Sequence, residues 1–122
     1  MKDRTGLEDQ VPLRVTVEFT DAVNRSLGVR WSPATEAGAR KKFEYARIFL
    51  VELSDRPHRT YLDIVEHHPW TSVQLPPALA AGEYAIEIDA YGSASWGDGR
   101  LDAHGRSPSF TVGPVPTGEP AA

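Results

Sequence analysis

Leu79-Ala80-Ala81-Gly82-Glu83-Tyr84-Ala85-Ile86-Glu87-Ile88-Asp89-Ala90 is the stretch whose reading decides the fold. After Gly82, the positions Tyr84, Ile86, Ile88 and Ala90 are apolar or aromatic, and Glu83, Glu87 and Asp89 between them are acidic. A period of two predicts a β-strand with one face on a core and the other in water. A tyrosine heading such a strand, just after a glycine turn, is the arrangement of a tyrosine corner in a β-sandwich.

Strands on either side follow the same rule. Upstream, Leu13, Val15, Val17 and Phe19 alternate with Arg14, Thr16 and Glu18 behind Pro12, which suits an edge strand. Leu27, Val29 and Trp31 share a face in the next strand, which Ser32-Pro33 ends. Ala34 to Lys42 reads as a loop with a solvated basic triplet, Arg40-Lys41-Lys42. Tyr45 to Leu53 carries Ile48-Phe49-Leu50-Val51 without a polar break, so it should be a central strand buried on both faces. Thr60–Glu66 and Thr71–Leu75 follow as strands, with His67-His68-Pro69-Trp70 as a loop whose Trp70 is expected to pack under the end of the sandwich. Gly92 to Gly105 reads as a long loop rich in glycine and aspartate, and Ser109–Val112 as the last strand.

The segments together predict an all-β protein, a seven-stranded antiparallel Greek-key sandwich of immunoglobulin type. Residues 1–10 read as a polar tail, 11–113 as the domain, and 114–122 as a proline-rich tail or linker. The length of 122 residues suits one domain, which buries roughly two-thirds of its unfolded surface. The absence of cysteine excludes disulfides and thiolate metal sites. A formal charge of −4 argues against generic nucleic-acid binding. No run approaches the ~18 apolar residues of a membrane span, so no membrane insertion is expected. Met1 to Gln10 is charged and does not read as a signal peptide. Compartment stays open: the chain is cytoplasmic as it stands, or extracellular if it belongs to a longer secreted protein. The abundance of Ala, Arg, Gly and Pro hints at a bacterial source.

Ser26-Leu27-Gly28-Val29-Arg30-Trp31-Ser32-Pro33 resembles the second strand of fibronectin type III domains, with the family's buried tryptophan at Trp31. Tyr45 stands where that family often has an aromatic on the third strand, and Leu79 through Gly82 to Tyr84 resembles its corner. The likeness spans about Val11 to Val112. Ala81 replaces the usual proline, the Leu-to-Tyr spacing is one residue shorter, and the loop before the last strand is longer. The resemblance implies a spacer or protein-contact module beside flanking domains. In a sandwich, Trp31 should fill the centre, and the Tyr84 hydroxyl should donate to backbone near Leu79.

Nothing in the sequence forms a catalytic motif, and no cofactor is expected. His58, His67 and His68 with Asp63 and Glu66 lack metal-ligand spacing, since neighbours on a strand face opposite sides. Ser93, Ser95, Asp102 and His104 lack a nucleophile elbow. Asp98 to His104 superficially resembles a calcium loop, but position 100 is Arg and the distal glutamate is missing. The stronger candidate is the 92–105 loop as a contact surface for a protein, with Trp96, Asp98, Arg100, Asp102 and Tyr91 as contact residues. Trp96 is either an anchor for a partner or a ring tucked over the core edge. The alternative is a carbohydrate-binding module that stacks a glycan on Trp96, Tyr91 and Trp70.

Overall fold

The computed structural model describes residues 11–21, 25–40, 43–92 and 102–113. The strands are β1 (Val11–Asp21), β2 (Ser26–Pro33), β3 (Tyr45–Glu52), β4 (His58–Glu66), β5 (Trp70–Gln74), β6 (Gly82–Tyr91), β7 (Ala103–Arg106) and β8 (Phe110–Val112), with one helical turn, α1 (Glu36–Ala39), after β2. They hydrogen-bond in the order β4-β3-β6-β7-β1-β2-β5, with β8 also on β6. The inner faces of β1, β2 and β5 share one core with those of β3 and β6. This all-β arrangement is consistent with a β-sandwich.

Alternation explains the core. Leu27, Val29 and Trp31 of β2 face inward, as do Ile48 and Leu50 of β3 and Tyr84, Ile86, Ile88 and Ala90 of β6. Leu27, Ile48, Leu50, Ile86 and Ile88 are fully buried, each contributing about 1.5–3 kcal/mol of apolar transfer. The expected central strand is central, since β3 pairs with β4 on one side and β6 on the other, but it is not buried on both faces: outward Arg47 is exposed and Phe49 half-buried.

The structure corrects several sequence readings. Among the described residues the antiparallel pattern has one exception, since Val11 and Pro12 run parallel to Ala103 and His104. Pro12 is therefore not on an edge; β1 bridges two strand groups. Proline is tolerated because this ladder covers only two residues, and the Pro12 carbonyl still accepts the Ala34 N–H at 2.8 Å. Within the stretch read as loop, Thr35 caps α1 by accepting the Gly38 N–H at 3.0 Å.

Among the described residues there are eight strands rather than seven, because the end of the 92–105 stretch is β7. It pairs with β6 from Ala90↔Ala103 to Glu87↔Arg106. Gly105 is a packing residue there, not a loop residue: a Cβ would collide with the Leu13 carbonyl. Pro108 carries no N–H and interrupts the strand. The Ser107 hydroxyl repairs the ladder by accepting the Ile86 N–H at 3.0 Å and donating to the Pro108 carbonyl at 2.9 Å. Beyond it β8 resumes on β6, with Phe110 opposite Tyr84.

The corner forms as expected, one residue along. The buried Tyr84 hydroxyl donates to the Ala80 carbonyl at 2.6 Å. Gly82 takes φ 156°, a conformation that side chains disfavour. Burial, then the Glu52 carboxylate, push the Tyr84 phenol above its ordinary value of 10.0, with Arg25 opposing. Arg25, just before β2, is 9% exposed. It donates to the Gly113 carbonyl at 2.9 Å and the Leu79 carbonyl at 3.4 Å. One guanidinium thus ties the corner segment to the end of β8.

Candidate functional site

Glu87 and Asp89 lie on the face of β6 that alternation assigns to water, yet they are 7% and 6% exposed. The cause is cross-strand. Their β7 partners are Arg106 and His104, and Arg59 reaches over from β4. Glu87 Oε1 meets Arg59 Nε at 3.0 Å, and Oε2 accepts from Arg106 Nε at 2.8 Å and Nη2 at 2.5 Å. Asp89 Oδ2 accepts from Arg59 Nη2 at 2.7 Å, and Oδ1 lies 2.7 Å from His104 Nδ1. All four carboxylate oxygens are therefore engaged. The carboxylates hold Arg59, Arg106 and His104 in place.

What this scaffold positions is an arginine and aromatic surface. The Arg59 guanidinium lies 3.6 Å from the centroid of the Phe49 ring, a cation–π stack. Phe49 meets Tyr61 edge to face at 6.0 Å, and Tyr61 is 52% exposed. Phe49 and Tyr61 are direct cross-strand partners just past a register shift at which Leu62 of β4 is the extra residue. The sequence contained this only indirectly: an acid pair on β6 and an Arg–Tyr pair at period two on β4. Nothing in either strand alone says that the two face one another.

The sequence-predicted contact residues divide. Trp96, Asp98 and Arg100 lie outside the described residues. Tyr91 is buried, with Arg47 over its ring at 5.7 Å. Burial and then Asp89 raise its phenol, against Arg47 and Arg59. Asp102 is occupied closing the base of its segment, since its carboxylate accepts the Gly92 N–H at 2.9 Å and its carbonyl the Val11 N–H at 2.9 Å. Among the structural residues, Trp31 is 7% exposed and Tyr84 2%. Leu79 packs against the core, and Tyr45 lines a cavity of about 220 Å³ beside Trp31.

Trp70 departs from expectation. It starts β5 opposite Arg30 of β2, on the outward row, and is 53% exposed. The Pro69 carbonyl accepts the Trp31 N–H at 3.0 Å and draws residue 70 into the ladder. The ring therefore follows strand alternation outward, away from the sandwich end. Among the described residues, no three His, Asp or Glu side chains come together as a metal site. No helix there is long and apolar enough to cross a membrane.

No family model matches the chain, and no curated protein sequence matches it. Solved structures do. One is the structure of titin kinase and its flanking domains, similar at TM-score 0.55 and 16% identity over 83% of this chain. The chain spans 17% of the length of that structure. The likeness supports an immunoglobulin-like fold. At this identity it concerns architecture alone.

Proposed function

We propose that the chain is a non-catalytic, fibronectin type III-like Greek-key module that serves as a spacer and protein-contact domain. Three observations support the fibronectin-type reading. The antiparallel ladders fall into a β1-β2-β5 group and a β4-β3-β6-β7 group, joined by the two-residue β1-β7 pair. Trp31 is buried on β2. The corner phenol bonds back to Ala80. Non-catalytic character is supported by the fully engaged Glu87 and Asp89 carboxylates.

The observation that carries the contact reading is Arg59, stacked on Phe49 and anchored by two carboxylates beside exposed Tyr61. Arginine and tyrosine, with tryptophan, are the residues enriched at interface hot spots. Here the arginine is already ordered, so little side-chain entropy is lost on docking. The proposed contact surface is this face, from Tyr61 and Arg59 across to His104.

The test is affinity capture from the source organism with the wild type, Tyr61→Ala and Tyr61→Phe. The reading expects a protein retained by wild type and Tyr61→Phe and depleted at least tenfold by Tyr61→Ala. Equal capture by all three would remove this face from the proposal.

A further inference from the structure

The opposite sheet face carries a second, chemically different surface. Outward from β1, β2 and β5 lie Arg14, Thr16 and Glu18, then Gly28, Arg30 and Ser32, then Trp70 and Ser72, in cross-strand register. Thr16, Arg30 and Trp70 form one row. On one side of it is a trough of about 300 Å³ lined by Arg14, Arg30, Ser32 and Trp70. On the other is a trough of about 370 Å³ floored by Gly28, between Glu18 and Ser72. Neither Arg14 nor Arg30 has an ion-pair or hydrogen-bond partner among the described residues. This contrasts with Arg59 and Arg106 on the other face. His68 lies beside the indole, with ring centroids 5.6 Å apart and planes tilted by 35°.

We propose that this face binds a carboxylated oligosaccharide, with a uronic-acid ring stacked on Trp70 and its carboxylate on Arg30 and Arg14. An exposed indole presents a flat apolar surface that matches the C–H face of a pyranose. Guanidinium groups without acceptors supply charge-assisted, bidentate bonds to a carboxylate. Thr16 and Ser32 offer hydroxyl donors and acceptors to the ring oxygens. The ligand has to be anionic because the primary trough holds two arginines and no acid, in a chain whose overall charge is −4. It has to be an oligomer because the Trp70–Arg30 row borders both troughs, leaving the bare floor over Gly28 for the adjoining sugar. This site does not depend on the protein-contact face, which lies on other strands.

The test is isothermal titration with tetragalacturonate, beside cellotetraose, a tetraglutamate peptide and a short oligothymidylate. The expected result is saturable binding of tetragalacturonate to the wild type and to Tyr61→Ala. Trp70→Ala and Arg30→Gln should each weaken it at least tenfold while melting like the wild type. Binding that persists in Trp70→Ala, or no binding to the wild type, overturns the proposal. Equal affinity for cellotetraose removes the role of the arginines, and equal affinity for tetraglutamate removes that of the stack. Tighter binding of the oligothymidylate overturns it in favour of a nucleic acid.

Discussion

At the scale of single residues, the fold rests on a ring and a phenol. Trp31 is surrounded by core and 7% exposed; Trp31→Ala should cost about 3–5 kcal/mol in chemical denaturation. Tyr84→Phe strands the Ala80 carbonyl and should cost about 1–3 kcal/mol. Because burial raises the Tyr84 phenol, the fold favours its protonated form. That contribution is complete below the unfolded value, about pH 10, and is lost as pH rises through the folded one. Wild type should therefore lose stability above about pH 10 more steeply than Tyr84→Phe, with raised Tyr91 adding to the slope in both. The ion network should respond asymmetrically. The side chains of Arg59 and Arg106 are 42% and 49% exposed, against 9% for the side chains of their acids. An arginine that loses its carboxylate turns to water, whereas a buried carboxylate that loses both arginines cannot. Arg59→Ala with Arg106→Ala should thus cost about 2–3 kcal/mol, and Glu87→Gln less, by urea midpoint.

At the scale of elements, the segment from Ala103 to Val112 shows how one strand is divided and kept. β7 and β8 both pair with β6, and the Ser107 hydroxyl supplies the ladder bond that the Pro108 break would forfeit. Gly105 lets the start of β1 pass close enough to form the parallel pair. Gly105→Ala should push the two apart and cost about 1–3 kcal/mol, read as a lower melting temperature with a near-native spectrum. The sequence of this segment has no usable alternation: β7 is four residues long, Ala-His-Gly-Arg, and its glycine looks like a loop glycine. Its assignment as strand comes from β6 beside it, whose donors and acceptors require a partner.

At the scale of the whole molecule, the two outward faces differ in kind. One has its charges paired and covered around Glu87 and Asp89, and the other leaves Arg14, Arg30 and Trp70 open. A sandwich allows this because each sheet buries one face and leaves its reverse to independent chemistry. The domain boundaries carry their own prediction. A chain of residues 11–113 should melt within about 4 °C of the full chain, a change below about 1 kcal/mol. A larger drop in differential scanning calorimetry would place part of the stabilising contacts in the tails.

The amino-acid order alone determined which side chains share a strand face. Period two at Leu27–Trp31 and Tyr84–Ala90 was enough to place the core and the corner, and the unbroken apolar run Ile48–Val51 to place β3 between two strands. It worked because pleat geometry is local: each residue's side follows from its neighbours'. What only the tertiary structure decided was what each outward face meets. Glu87 and Asp89 are covered by Arg59, Arg106 and His104 from other strands, and Trp70 is held open by its pairing with Arg30. Such cover depends on strand order and register between segments distant along the chain. No local pattern encodes that, because it arises only when the sheets close on their shared core.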